Sequence, residues 1–409
     1  MKIINISLQY LTLASAALSS ASWANVEHTF DFGARARYTD IEVADNKGKA
    51  ASLLLRASLE SRWTDSFSSL LEIDAAETWF QDEHRDGLRF NNKPRVPDVP
   101  GNEVNQAFLQ WDGRQLSVTA GRQRIELANQ RFISSVSFWQ NDQTYDALRS
   151  TYNFLSASSA QYIYIDNVNR FWGDDAEDYL RPSDVNFAAL DGIRPAGARG
   201  DHAQNTHLAH LELKEWDYSQ WLAWYYSIEN ETFDPHSNDT AGIGYRFNYK
   251  GNNLKYIVEA DIAQQERTAF EKNSMSYYRL EAGIEIQSTE FMLSQESLGS
   301  DNGVAFIAPL GSINDFQGWA DVFFNTPANG LVDTRLQIDW RFNPFRIDLR
   351  YHNFQAAEGG EDYGTELDID VLWKPAKKQQ LLLRLSDFNS DTDSLEDNVS
   401  LSLTWSYNI

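Results

Sequence analysis

From Ser276 to Gln287 the chain reads SYYRLEAGIEIQ, and every second residue is apolar. Tyr278, Leu280, Ala282, Ile284 and Ile286 alternate with Arg279, Glu281, Gly283, Glu285 and Gln287. Successive side chains of extended backbone point to opposite faces, so this segment carries one oily face and one charged face. The same period recurs along the chain. In TFDFGARARYTD, Phe30, Phe32, Ala34, Ala36 and Tyr38 alternate with Asp31, Gly33, Arg35 and Arg37. In AGIGYRFNYK, Ala241, Ile243, Tyr245, Phe247 and Tyr249 alternate with Gly242, Gly244, Arg246 and Asn248. VDTRLQIDWRF and TELDIDVLWKP repeat it at 332–342 and 365–375. Segments of about ten residues with this dyad period are the signature of transmembrane β-barrel strands.

The connections alternate as well. Tight polar turns fall at 64–66, 112–115, 250–253, 343–345 and 374–378, and long acidic or Gly/Pro-rich stretches at 81–103, 167–205, 298–331 and 389–397. Short turns on one side and long loops on the other match the periplasmic and extracellular ends of outer-membrane barrels. The pattern therefore predicts an all-β fold, a transmembrane antiparallel β-barrel of about 18 strands with short periplasmic turns and long extracellular loops. The alternation blurs over 115–125 and 157–167. A soluble sandwich or propeller is disfavoured, because Tyr38, Trp63, Trp79, Trp111, Tyr152, Trp340, Tyr351, Trp373 and Trp405 sit at strand ends as interfacial girdles would. No fixed repeat of about 40–50 residues of the propeller kind is present. The last segment, NVSLSLTWSYNI, keeps an apolar face from Val399 to Ile409. It resembles the C-terminal signal recognised by the barrel-assembly machinery, with Ile409 where that signal usually has Phe or Trp.

The two sides of such a wall meet different solvents: lipid outside, a water-filled lumen inside. Closure makes this possible, because an open sheet edge in hydrocarbon would strand unpaired backbone groups. Ile284→Arg is accordingly expected to be costly, and Arg279→Glu, facing water, mild.

Composition fixes the compartment and narrows the partners. Residues 1–24, MKIINISLQYLTLASAALSSASWA, have one Lys, an apolar middle and a small-residue end. That is the anatomy of a secretory signal peptide cleaved after Ala24, leaving 25–409 as the barrel. The first strand is expected near Thr29, which leaves no room for the plug domain of an energised transporter. No later apolar run approaches the roughly 20 residues of a membrane helix. The chain has no Cys, so it has neither a disulfide framework nor a thiol nucleophile. A formal charge of -24 makes nucleic acid an implausible partner. Lipid and lipopolysaccharide of the outer membrane are the expected surroundings.

The lumen-facing positions are rich in ions. Arg35, Arg37, Arg56, Arg62, Arg149, Arg246, Arg279, Arg335, Arg341, Arg346, Arg350 and Arg384 stand against Asp31, Glu60, Glu72, Asp74, Glu259, Asp261, Glu281, Glu285, Asp333, Asp339, Asp348, Asp368 and Asp370. Arginine grips a carboxylate with two parallel hydrogen bonds, so one reading is a ladder that passes an anionic solute such as a uronate sugar. The other is that Arg and Asp/Glu on neighbouring strands neutralise each other and stiffen the wall. Trp221 and Tyr225 are aromatic candidates for stacking on sugar rings.

Catalysis finds little support. His207 and His210 face opposite sides of a strand and cannot share a metal. No nucleophile elbow is present, and the acidic runs at 174–178 and 390–397 lack the spacing of a calcium loop. No motif asks for a metal or a cofactor, and an enzyme is not expected.

GRQRIELANQRFISSVSFWQNDQTYDALRSTY resembles a motif of the alginate-export family of outer-membrane barrels, on Gly121, Arg122, Gln123, Arg131, Trp139, Tyr145, Asp146 and Arg149. FQGWADVFFNTPANGLVDTRL looks like a loop of the same family, on Gly318, Trp319, Ala320, Asp321, Thr326, Pro327, Gly330 and Leu331. The resemblance implies an 18-stranded monomer that conducts an anionic oligo- or polysaccharide, with Arg122, Arg131 and Arg149 near the constriction, and a periplasmic scaffold as a further partner. A porin for small hydrophilic solutes, or a surface receptor or adhesin, stays open beside it. The loops 167–205 and 298–331 are candidates to fold inward, being far longer than typical connections.

Overall fold

The computed structural model describes residues 26–86, 91–173, 200–271, 273–312 and 314–409. The signal peptide expected over 1–24 and the acidic run 174–178 lie outside the described residues. Over the described residues, period-two segments become strands in chain order. These are β1 (Glu27–Val43), β2 (Asn46–Thr64), β3 (Phe67–Trp79), β4 (Gly101–Asp112), β5 (Leu116–Gln123), β6 (Thr144–Phe154), β7 (Ser158–Asn169), β8 (Asp201–Trp216) and β9 (Ser219–Ile228). β10 (Asn238–Lys250), β11 (Leu254–Arg267), β12 (Met275–Ile286) and β13 (Thr289–Leu298) follow. A small hairpin, β14 (Ser300–Asp301) and β15 (Val304–Ala305), lies outside the wall. The wall resumes with β16 (Leu331–Phe342), β17 (Phe345–Gln355), β18 (Asp362–Ala376), β19 (Gln379–Ser390) and β20 (Asn398–Tyr407).

Each wall strand pairs antiparallel with its neighbour, and β1 pairs with β20 from Ala34↔Tyr407 to Val43↔Asn398, which closes an 18-stranded barrel. The blurred segments form β5 and β7 after all, the second with a register shift between Ile165 and Asn167. One end carries turns of two or three residues. The other carries the long connections 80–100, 124–143, 170–200 and 299–330, although its first connection is only Ala44 and Asp45.

The wall is inside-out relative to a soluble protein. On β12 the outward Leu280 is 52% exposed, whereas the inward Arg279 and Glu281 are 6% and 9% exposed. A sheet facing bulk water would invert that order, so the oily face is the one built for lipid. At the turn end Trp340, Phe342, Phe345 and Trp373 line up with ring centroids 4.3, 5.6 and 6.2 Å apart, as an interfacial girdle requires. Trp221 and Tyr225 belong to this outer face, at 45% and 51% exposure. The stacking role suggested for them is overturned, because Trp221 pairs with the outward Tyr245 and shares its side of the wall.

Apolar packing is found inside the barrel instead, toward the loop end. Ile125, Leu127 and Ile133 of the 124–143 connection meet Phe306, Leu310 and Phe323 of the 299–330 connection. With them pack inward residues such as Tyr145, Ile163, Leu208, Tyr277 and Phe354. Two long connections are thereby packed into the lumen.

Candidate functional site

The lumen is narrowed where these two connections join. Ser134 N–H donates to Leu310 O and Ser312 N–H to Gln130 O, both at 2.9 Å. Gln143 Nε2 and Tyr145 Oη both reach Leu310 O as well. Of the two connections expected to fold inward, 299–330 does so, and 170–200 contributes Phe171 and Trp172 to a small inner cluster with Val99, Val136 and Trp139. The 124–143 connection was not singled out for this. Its alternation of Ile125, Leu127 and Ile133 with polar residues was the available signal.

Wall arginines clamp the crossing segments. Arg35 is buried, and donates to Ser137 O at 2.8 Å, Gln140 Oε1 at 3.0 Å and Trp139 O. Arg37 binds Asp98 of the 80–100 connection at 3.0 Å and donates to Phe138 O. Neither is a rung of an open ladder. Arg56, with Arg124 at the start of the crossing segment, encloses Glu72, Asp74 and Asp142. The Arg56–Asp74, Arg56–Asp142 and Arg124–Asp142 distances are 2.6, 2.8 and 2.6 Å. Those three carboxylates lie within metal-ligand distance of one another, and Arg56 and Arg124 are ion-paired with them.

Burial alone would raise the Asp142 carboxyl. Arg56, Arg124 and the Asn105 amide overcome that and hold it down at about 2. A depressed carboxyl contributes stability that is complete above the value of an exposed Asp and lost as pH falls through its own. Pepsin at about pH 3 is therefore expected to leave the 124–143 segment uncut in the folded wild type. The same digest should cut Asp142→Asn, in which two guanidiniums lose a partner at a cost of about 1–3 kcal/mol. Equal resistance of the two proteins would place the seal elsewhere.

The opposite wall holds a second network. Arg246 grips Asp261 through two bonds of 2.7 and 2.8 Å. Arg279 reaches Glu259, Asp261 and Glu281 at 2.7, 3.2 and 2.5 Å, and Arg335 reaches Glu281 at 2.6 Å. Arg346 and Arg350 bind Asp339 and Asp348 in the same manner. For these arginines the neutralising-wall reading holds.

Arg122, Arg131 and Arg149 are not brought together. Arg122 pairs in register with Ala107 and Asp146, next to the outward Leu71, Leu109 and Leu148. Its ion pair with Asp146, at 2.9 Å, thus lies on the outer face at the loop end, which corrects the constriction role implied for Arg122 and takes Asp146 of the same motif out of the pore. The reason is register: in β5 the inward side falls to Gly121 and Gln123, and a one-residue offset exchanges the faces. Arg131 is buried on Glu296 at 2.7 Å beneath Phe316, fastening the crossing segment to β13. Arg149 does face inward, on Gln161 Oε1 at 2.7 Å.

The second motif is where the 299–330 segment docks. Gly318, with φ of 79°, lies against Glu366, and a Cβ there would come 2.4 Å from its Oε2. The turn aims two N–H groups outward: Trp319 N–H donates to Asp368 at 3.2 Å and Ala320 N–H to Glu366 at 2.7 Å. The Trp319 indole lies under Arg384 and Arg350, 3.8 and 4.5 Å from its centroid. Pro327 stays in the outer part, its carbonyl accepting Gly330 N–H at 2.8 Å.

Above this floor opens a vestibule of about 1090 Å³. Phe138, Trp139 and Trp319 form its apolar side, and Arg37, Arg95, Arg384 and Asp321 are among its charged groups. Arg37 and Arg384 both stack on Phe138, at 4.3 and 4.5 Å, so two cations stand over one ring.

The fold is shared with solved structures of low sequence similarity. Acinetobacter baumannii OccAB4 is 11% identical over 93% of this chain and 97% of its own, with a TM-score of 0.70. Acinetobacter baumannii OccAB3 is 13% identical over 94% and 99%, at 0.68. Pseudomonas aeruginosa OpdK, solved with vanillate, is 12% identical over 93% and 98%, also at 0.68. A further OpdK structure describes that protein as an outer membrane protein, at 12% identity over 93% and 98% and a TM-score of 0.65. No protein-family model and no curated protein sequence matches the chain. The alginate-export resemblance therefore rests on its motif residues alone, and the fold parts Arg122 and Asp146 from the rest.

Proposed function

We propose that the protein is an outer-membrane channel for small hydrophilic solutes, with small organic anions held at the vestibule, and not a conduit for polysaccharide. The observation that carries this reading is the junction of the 124–143 and 299–330 segments inside the barrel, which leaves a chamber suited to a small molecule. The paired wall arginines add to it, since a guanidinium already held by a carboxylate offers little to a passing polymer. The likeness to OpdK, an outer membrane protein solved with the small aromatic carboxylate vanillate, supports the same size class. On this reading residues 1–24 are an export signal and the assembly machinery inserts the barrel. It then works as a monomer among lipid and lipopolysaccharide.

The test is permeation through the purified barrel in liposomes and planar bilayers. Monosaccharides and small organic acids are expected to pass, small anions faster than cations of equal size, with flux falling steeply as uronate oligomers lengthen. Passage of long uronate polymers would reverse the choice in favour of polysaccharide transport.

A further inference from the structure

Of the four carboxylates that line the vestibule among the described residues, Asp45, Asp82 and Glu396 are exposed and Asp321 is not. Asp321 lies on the crossing segment, one residue beyond the N–H groups docked on Glu366 and Asp368, with φ of 53°. The residue is half-buried against the cavity, yet its Oδ1 is closed off from water and has no hydrogen-bond partner. Arg95 donates to the Asp321 backbone carbonyl at 3.3 Å, and its guanidinium stacks on Phe324 at 4.2 Å. Asp98 and Asp370, by contrast, have Arg37 and Arg384 at 3.0 and 2.7 Å.

The groups that share the cavity come from every surrounding element. Arg85, Lys93, Arg95 and Asp82 belong to the 80–100 connection, Arg37 to β1 and Asp45 to the connection after it. Arg384 belongs to β19 and Glu396 to the connection before β20, while Asp368 of β18 acts on Asp321 from beneath. Among the described residues the cavity lining sets five cations (Arg37, Arg85, Lys93, Arg95, Arg384) against four carboxylates (Asp45, Asp82, Asp321, Glu396). Counted with Asp98 and Asp370, which pair with Arg37 and Arg384, the group has a formal charge of 5 - 6 = -1 with Asp321 ionised and 5 - 5 = 0 with Asp321 neutral. In a narrow mouth with low-dielectric walls such a charge sets the local concentration of anions.

We propose that Asp321 is a specificity-determining residue of this channel and acts through its proton: neutral, it strengthens the preference for anions, and ionised, it offsets one cation and weakens it. The proposal rests on the channel reading above. Burial pushes the Asp321 carboxyl up, against the pull of Arg95 and Arg384 and with the push of Asp368, to about 6. Below that pH the group keeps its proton. Above it the mouth carries one more negative charge.

The experiment is the reversal potential of the purified full-length barrel under a KCl gradient, between about pH 4.5 and about pH 8, which brackets the titration. Wild type is expected to become more anion-selective as pH falls, with its midpoint near 6. Asp321→Asn, an isosteric change, is expected to hold the low-pH selectivity throughout. Asp82→Asn removes an exposed carboxylate from the same cavity. It is expected to raise anion preference while keeping the wild-type response to pH. A wild type whose selectivity does not move over the range overturns the proposal. So does an Asp321→Asn protein that titrates like wild type, an outcome that would assign the response to Glu366 and Asp368. A barrel that is folded by its heat-sensitive gel mobility but passes no current at any pH overturns the channel reading instead.

Discussion

Arg279→Glu is expected to cost the folded barrel roughly 3–5 kcal/mol, the range for breaking a buried ion pair by removing one partner. Arg279 is shared by Glu259, Asp261 and Glu281, so the variant puts a fourth carboxylate among three. Arg335 and Arg246 would be left as the guanidiniums in contact with that group. Denaturant unfolding in detergent or lipid measures the loss, and a double variant with Glu281→Arg should recover part of it. A change within about 1 kcal/mol of wild type would mean that lumen water screens the network as it does surface pairs. The lipid-facing Ile284→Arg is expected to cost about 2–4 kcal/mol if near the midplane. The ranking inverts the sequence-based expectation that the lumen side is the tolerant one. Whether a lumen position tolerates change depends on which strand neighbours it meets.

The second large effect is on conductance. Replacing Arg35 and Arg37 together by Ala removes the donors to the carbonyls of Ser137, Phe138 and Trp139 and to Gln140 Oε1. It also leaves Asp98 without its guanidinium. The crossing segment is then held mainly from the far side, by Arg131 on Glu296 and the packing of Ile125 and Ile133. Single-channel conductance is expected to rise severalfold with loss of anion preference, while Arg122→Ala, on the outer face, leaves both unchanged. An unaltered conductance in the double variant would show that the apolar contacts alone seal the lumen.

How much was legible follows from what each feature depends on. Strand existence was readable even for β12 taken alone, because burial of one face and exposure of the other is written at every second residue. Arg35 and Arg37 were readable as inward for the same reason. Their partners were not, since Ser137 and Gln140 lie about a hundred positions away and meet them only once a connection turns back into the barrel. The motif around Arg122 failed at a single offset. Arg124, which the alternation passed over, joins Glu72 and Asp142 because it falls just past the strand end.

By itself the sequence determined the class of wall: a closed antiparallel barrel with an oily outside, an ionic inside and long connections at one end. These depend on period, composition and the need to leave no backbone group unpaired in lipid, all of which are local or global properties of the chain. Tertiary structure decided which arginines are spent on carboxylates, which clamp a crossing segment and which face outward. It also decided that Asp321, one acid among many in the sequence, has a shielded Oδ1 without a partner. Those outcomes turn on strand register and on where two connections meet inside the lumen. A displacement of one residue exchanges the faces of a strand while leaving its composition unaltered.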